Sequence, residues 1–130
     1  MKKLFITAVL ALFAMTQTFA QKEAIIEFES TTLDFGDVKP DQDILKGTFV
    51  FKNVGKSPLV ILQVLTSCGC TVATYTKEPV APGKTGKIEI TYDTNRGGKS
   101  PGKFKKIVTV ANNGVPEKPR LVVCGNMLPK

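Results

Sequence analysis

The amino-acid sequence predicts an all-β fold, namely an immunoglobulin-like antiparallel β-sandwich of seven or eight strands. After residue 20, no segment keeps a helical period for more than one turn. Short runs rich in β-branched and aromatic residues recur instead, at intervals of about 8–14 residues, between breaks rich in Gly, Pro, Asn and Asp. Because no helix is available to connect parallel neighbours, the sheets are expected to be largely antiparallel. A small barrel is the second architecture that fits this pattern.

Two predicted strands show clear alternation of apolar and polar residues. In residues 87–93, Ile88, Ile90 and Tyr92 are predicted to point inward, with the polar residues between them facing solvent. In residues 45–53, both phenylalanines fall on one face. The full set of predicted strands comprises residues 24–29, 31–35, 45–53, 59–65, 71–75, 87–93, 104–111 and 119–127.

Two other predicted strands depart from simple alternation. Residues 59–65 are apolar except for Gln63, which predicts a strand covered on both faces or placed near the middle of the sandwich. In residues 104–111, the spacing between apolar residues changes from three to two. That change of parity predicts a β-bulge in this strand.

The first twenty residues have the pattern of a secretory signal peptide. Lys2 and Lys3 precede an apolar run at residues 4–15, and small residues stand at the end of the segment. The run is shorter than the roughly 20 residues that span a membrane, so an uncleaved anchor is the weaker alternative. We therefore expect residues 1–20 to be removed, and residues 21–130 to form one exported domain, periplasmic or extracellular, with no membrane span.

Composition excludes several classes of function. The chain has no histidine, so a Ser-His-Asp triad, a Cys-His nucleophile and a histidine-based zinc or haem site are impossible. No nucleophile is paired with an activating group, and we expect neither an enzyme nor a bound cofactor. The net charge of +7 comes from dispersed lysines, the densest group lying at residues 99–106. Such lysines are typical of solubility and edge protection, and no nucleic-acid partner is expected.

Three cysteines form the only constellation with distinctive chemistry. Cys68 and Cys70 flank Gly69, and Cys124 lies in the last predicted strand. One of the pair bonding Cys124 would close a loop of about 55 residues, a crosslink worth about 4 kcal/mol. Alternatively, Cys68 and Cys70 hold a soft metal such as copper(I), with Cys124 or Met127 as a further ligand. In the third interpretation the pair is a redox couple, although no histidine is present to lower a thiol pKa.

Five short segments occur in a distinctive order and spacing along the chain. They are FVFKNVG at residues 49–55, SCGCT at 67–71, PGK at 82–84, YDT at 92–94 and GKF at 102–104. Together they resemble the domain-of-unknown-function 1573 family, small exported domains frequent in Bacteroidetes, over roughly residues 30–127. That family is similar to the immunoglobulin-like modules of the ASPM–SPD-2–hydin and major-sperm-protein group, which are mostly interaction domains.

The resemblance implies the sandwich fold and an exported protein, but no activity. Its Cys-Gly-Cys element maps onto Cys68, Gly69 and Cys70, whereas Cys124 lies outside the shared pattern. We therefore expect a non-catalytic interaction or structural module of the bacterial cell envelope, whose partner is another envelope protein. The alternative is a thiol-dependent soft-metal (copper) or redox protein centred on the cysteine pair. Edge strands would allow a dimer by strand addition, and the oligomeric state is left open.

Overall fold

The computed structural model describes residues 23–130 as a sandwich of two four-stranded sheets. One sheet has the order β1-β3-β6-β5 and the other β2-β8-β7-β4. A single helical turn, Thr94–Gly97, follows β6. The predicted signal peptide lies outside the described residues. The strands are β1 Ile26–Phe28, β2 Thr32–Val38, β3 Ile44–Asn53, β4 Ile61–Thr66, β5 Thr71–Tyr75, β6 Thr85–Asp93, β7 Gly102–Asn112 and β8 Arg120–Met127.

The prediction of an immunoglobulin-like sandwich is confirmed, and so is the alternation in the clearest strands. Ile88, Ile90 and Tyr92 are buried, as are the two phenylalanines of β3. These side chains meet buried residues of β7 and β8, and each such apolar burial stabilises the fold by about 1.5–3 kcal/mol. The main core consists of Ala24, Ile26, Phe49, Phe51, Leu59, Ile61, Val80, Ile88, Ile90, Val108, Val110, Leu121 and Val123.

Within residues 23–130, all strand pairs are antiparallel except one. The strand β2 pairs in parallel with β8, from Thr32 opposite Val122 to Val38 opposite Met127. Its register shifts between Asp34 and Asp37, where Gly36 has a φ of 67°. Such positive φ values favour glycine, which therefore allows the irregularity. The expectation of largely antiparallel sheets is thus correct, with this one exception.

The prediction that residues 59–65 form a strand covered on both faces is wrong. The strand begins at Ile61 and is the last strand of its sheet, with β7 as its neighbour. Leu59 and Ile61 are buried, but Leu62 is 61% exposed and Leu65 is 47% exposed. A run of apolar residues shows only that apolar side chains are present; it does not show whether a second layer covers them.

The predicted bulge in residues 104–111 is also absent. The strand β7 pairs with β8 in continuous register, from Gly102 opposite Met127 to Thr109 opposite Arg120. Phe104 shares the inner face of β7 with the buried valines, and Ile107 faces the other way. The irregularity lies instead in the neighbouring strand β4, where the register with β7 shifts between Ile61 and Gln63.

A buried asparagine fixes the chain before β4. Asn53 is fully buried, and its Nδ2 donates to the carbonyl oxygens of Ser57 (2.7 Å) and Val80 (2.9 Å). Its Oδ1 accepts the N–H of Gly55 at 3.0 Å. The side chain thus ties the end of β3 to the turn that leads into β4, and both polar atoms of its amide have hydrogen-bond partners.

Candidate functional site: the edge formed by β4 and β5

The strands β4 and β5 are the last strands of their respective sheets, and they follow each other in the chain. The chain passes from one sheet to the other through residues 67–70. Among the described residues, neither strand has a strand neighbour on its outer side. We call this side of the sandwich, residues 61–75, the β4–β5 edge.

The β4–β5 edge contains no charged residue. No Asp, Glu, Lys or Arg occurs between Lys56 and Lys77, although every other strand carries at least one charge. Natural edge strands are usually protected by charges, because a free strand edge invites pairing with another chain. The charged residues of the other strands include Glu27, Asp34, Lys46, Lys87, Lys103 and Arg120.

The β4–β5 edge also exposes large apolar side chains. Besides Leu62 and Leu65, Val72 on β5 is 57% exposed. Leu62 and Leu65 are three residues apart, a spacing that would place them on opposite faces of a regular strand. Both are exposed because the register shift between Ile61 and Gln63 adds one residue to β4.

Backbone hydrogen bonds show which residues of β4 direct their backbone groups toward β7 and which direct them away. The N–H of Ser67 donates to the carbonyl of Ile107 on β7 at 3.0 Å, so Ser67 is directed toward β7. In an antiparallel ladder alternate residues point the other way, and Val64 and Thr66 therefore direct their backbone groups outward. At the other end, Leu59 exchanges both backbone hydrogen bonds with Val80 (2.9 and 2.7 Å), which closes the edge before Ile61.

A disulfide between Cys68 and Cys70 forms the corner that joins β4 to β5. The Cα atoms of the two cysteines are 5.1 Å apart, and the N–H of Cys70 donates to the Sγ of Cys68 at 3.1 Å. The N–H of Asp93 on β6 donates to the carbonyl of Cys70 at 2.8 Å. The hydroxyl of Thr66 lies 3.2 Å from the carbonyl oxygens of Cys68 and Thr71. The corner is thus held to both sheets.

The corner rests on a second, smaller core. Cys70 is 2% exposed and belongs to a cluster with Met127, the residue predicted as a further soft-metal ligand. Cys68 is partly buried against the same cluster. While the two sulfurs are bonded to each other, they offer no thiolate to a metal or a substrate. In residues 23–130, no three His, Cys, Asp or Glu side chains are grouped to hold a metal ion.

Cys124 is a free cysteine, away from the bonded pair, so the predicted alternative of a disulfide to Cys124 is not the pairing found. It lies on β8 between Asp34 of β2 and Lys105 of β7. Burial raises the pKa of its thiol, and the charge of Asp34 raises that pKa further. The thiol is therefore protonated at neutral pH and is a weak nucleophile.

Reasoning from the sequence did not locate the β4–β5 edge, although the sequence holds a signal for it. Twenty consecutive residues without a charge, from Ser57 to Thr76, stand out in a chain that is 22% charged.

Residues 23–130 contain no helix with the length and apolar character needed to cross a membrane.

Comparison with known proteins places the chain in a structural context. The family model described as "Protein of unknown function (DUF1573)" matches residues 26–127. A protein of unknown function from Porphyromonas gingivalis W83 is similar in structure, with a TM-score of 0.69 and 22% identity, and the alignment covers 85% of this chain. The chain spans 50% of the length of that protein.

Two further solved structures are similar at lower identity. The ASH/PapD-like domain 7 of human CEP192 matches with a TM-score of 0.63 and 9% identity, over 88% of this chain and 92% of that domain. The periplasmic chaperone SfaE matches with a TM-score of 0.57 and 12% identity, over 78% of this chain and 57% of the chaperone. At these identities the likeness shows the fold alone. No curated protein matches the chain significantly.

Proposed function

Since the chain belongs to the DUF1573 family, whose description assigns no activity, we propose a function from its structure: a non-catalytic, exported module that binds protein through the β4–β5 edge. The observation that carries this proposal is the combination of no charge with exposed Leu62, Leu65 and Val72 on two free strands. A polypeptide that pairs with such an edge gains main-chain hydrogen bonds. Covering each apolar side chain adds about 1.5–3 kcal/mol at full burial.

The state of the cysteines supports a role without catalysis. The sulfurs of Cys68 and Cys70 are bonded to each other, and the raised pKa of Cys124 keeps that thiol protonated. The chain also lacks the histidine that most often acts as a general base. Binding is therefore the function that the described residues support best.

Three observations support export to the cell envelope. The first twenty residues have the pattern of a signal peptide. The Cys68–Cys70 disulfide is of a kind that persists in oxidising compartments. The structurally similar SfaE is a periplasmic chaperone, which is consistent with an envelope protein that binds other proteins.

Site-specific photo-crosslinking in the native host tests the proposed function. A photoreactive residue is introduced into the full chain at Leu65, and at Ile44 as the control, since Ile44 is similarly exposed (49%) but lies on β3. We expect a protein adduct from position 65 that is absent from position 44. A second substitution, Leu62→Lys, should abolish that adduct, because it places a charge in the apolar edge. Equal adducts from both positions, or none from position 65, would contradict the proposal.

A second candidate function, that of a thiol–disulfide redox protein, is favoured by one observation, the bond between Cys68 and Cys70. Against it, Cys70 is buried, and its side-chain hydrogen-bond partner is the hydroxyl of Thr71 at 3.8 Å, which does not stabilise a thiolate as a cation would. The reduction potential of the pair tests this candidate. A potential close to that of catalytic dithiols would favour it, whereas one below about −300 mV would identify a structural disulfide.

A further inference from the structure

We propose that the occupant of the β4–β5 edge is a second copy of this chain, joined by antiparallel pairing of the two β4 strands around a two-fold axis. This inference rests on the proposed function, because it uses the same edge, and it adds the identity of the partner. The result is a continuous eight-stranded sheet, in which β4 of one copy lies beside β4 of the other.

The extent of the uncharged segment favours a second copy over a single added strand. An extended segment from another protein would lie along one sheet edge, and only that edge would need to be free of charge. The charge-free segment covers β4, the disulfide corner and β5 together. A two-fold axis perpendicular to the sheets brings β4 to β4 in one layer and β5 toward β5 in the other. A second copy therefore accounts for the absence of charge from both strands.

Because this chain has a net charge, two copies are expected to associate through a surface without charged residues. In a two-fold contact each patch meets its own copy, so a charge on the patch faces a like charge or itself. The chain has more Lys and Arg than Asp and Glu, with or without residues 1–20, so two copies carry net charge of the same sign and repel each other. The strands at the opposite edges would bring acidic side chains together, Glu27 on β1 and Asp34 with Asp37 on β2. The β4–β5 edge has no charged residue of its own to add to this repulsion.

The backbone of β4 restricts the register of the pair. Val64 and Thr66 direct their N–H and C=O groups away from β7, so these residues must form the hydrogen-bonded pairs of the new ladder. Pairing Val64 with Thr66 of the second copy, and the reverse, places Leu65 on the two-fold axis. Residues that face each other without hydrogen bonds have Cα atoms about 4.5 Å apart, so the two Leu65 side chains touch. Leu65 is 47% exposed in the single chain and is covered by this contact.

The dimensions of the edge predict a dimer that depends on concentration. A strand of six residues is about 20 Å long. The two layers lie about 10 Å apart, so the footprint is at the small end of specific protein interfaces. We therefore expect monomer and dimer to exchange in the micromolar range, rather than a permanent dimer.

Sedimentation analysis of the protein purified from cells that produce the full chain tests this inference. We expect the average mass to rise from one chain to two with concentration. Leu65→Lys and Leu65→Glu should each weaken the dimer more than about a hundredfold, since each puts two like charges on the axis. An equimolar mixture of the two variants should restore the dimer, because a lysine then faces a glutamate. Ile44→Lys, the matched control at an exposed apolar residue away from the edge, should leave the dimer unchanged.

If mixing restores the dimer, both variants must be folded. The weaker dimer of each variant alone is then not caused by unfolding. A wild-type chain that stays monomeric at all concentrations would overturn the inference, and so would an undiminished Leu65→Lys dimer or a mixture that remains monomeric. The crosslink at position 65 separates this failure from that of the proposed function. An adduct with a different protein, or with the chain's own apolar segment at residues 4–15, overturns the second copy as occupant. Of these two outcomes, only the adduct with another protein keeps the proposed function, and the absence of any adduct refutes both proposals.

Discussion

The rings of Tyr92 and Phe104 are stacked with nearly parallel planes, their centroids 5.1 Å apart and their planes inclined by 4°. Tyr92 belongs to β6 in one sheet and Phe104 to β7 in the other, so the stack joins the two layers. The same small core contains Cys70 and Met127. The aromatic pair therefore lies under the disulfide corner, and supports the surface that we propose as an interface.

Shortening one member of this pair should destabilise the fold. We expect Phe104→Ala to lower the free energy of unfolding by about 2–4 kcal/mol, because it leaves a cavity against the buried Tyr92 ring. Chemical denaturation measures the change. Ile107→Ala on the same strand is the control, since Ile107 faces outward, and its effect should be clearly smaller. Equal effects of the two substitutions would show that the stack contributes nothing specific.

Removal of the third cysteine distinguishes the possible disulfides. Cys124→Ser should leave no free thiol in the denatured, unreduced protein, because Cys68 and Cys70 are bonded to each other. Titration with a thiol reagent in denaturant measures this number. One free thiol per chain would instead mean that Cys124 is normally bonded to one of the pair.

Reduction of the Cys68–Cys70 disulfide should have a modest effect on stability. The closed loop is short, and the chain-entropy model assigns such a crosslink about 1.5 kcal/mol, against about 4 kcal/mol for a loop of 55 residues. Denaturation of the Cys124→Ser variant with and without reductant measures the difference. A loss near the larger value would show that the corner stabilises the fold by more than the constraint on the unfolded chain.

The buried asparagine before β4 should be sensitive to substitution. We expect Asn53→Ala to cost about 2–4 kcal/mol, because the carbonyls of Ser57 and Val80 and the N–H of Gly55 lose their buried partner. Thermal or chemical unfolding measures the change. Asn126→Ala provides the comparison, since Asn126 donates to Asp37 in an exposed hydrogen bond and its loss should have little effect.

One pair of opposite charges should make the stability of the fold depend on pH, and only in the acidic range. Lys99 donates a hydrogen bond to Asp43, and this contact with the lysine charge lowers the pKa of Asp43 below its ordinary value of 3.8. A carboxylate with a lowered pKa contributes stability above its unfolded-state pKa, and this contribution is lost as the pH falls through the folded-state value. Asp43→Asn should therefore reduce the stability difference between mild acid and pH values below 3.8. Unfolding measured over that range, at low salt because salt screens exposed charges, provides the check. Identical acid profiles for both proteins would contradict the assignment.

The parts of the fold that could be predicted are those determined by residues close together in the sequence. In β6, strict alternation between apolar and polar residues reports one buried face, and Ile88 and Ile90 are buried as expected. For β4 the same reasoning fails, because the exposure of Leu62 depends on whether another strand lies beside it. The parallel pairing of Thr32 with Val122 likewise joins segments ninety residues apart.

Of the candidate site, the sequence predicts the unusual cysteine chemistry but not the position of the interface. The sequence identifies Cys68 and Cys70 as unusual, yet three cysteines allow more than one pairing, and backbone geometry at the corner decides between them. The interface itself depends on two strands lying at the same side of the sandwich. That arrangement follows from the order of strands in both sheets, which local patterns do not determine.

The position of β8 has a consequence for how the chain acquires its structure. This strand is the last in sequence, yet it lies inside its sheet, between β2 and β7. Until it is in place, β2 has no partner and β7 is paired on one side only. A nascent chain that ends before Arg120 therefore holds an open sheet, and the native topology forms only after synthesis has reached the final strand.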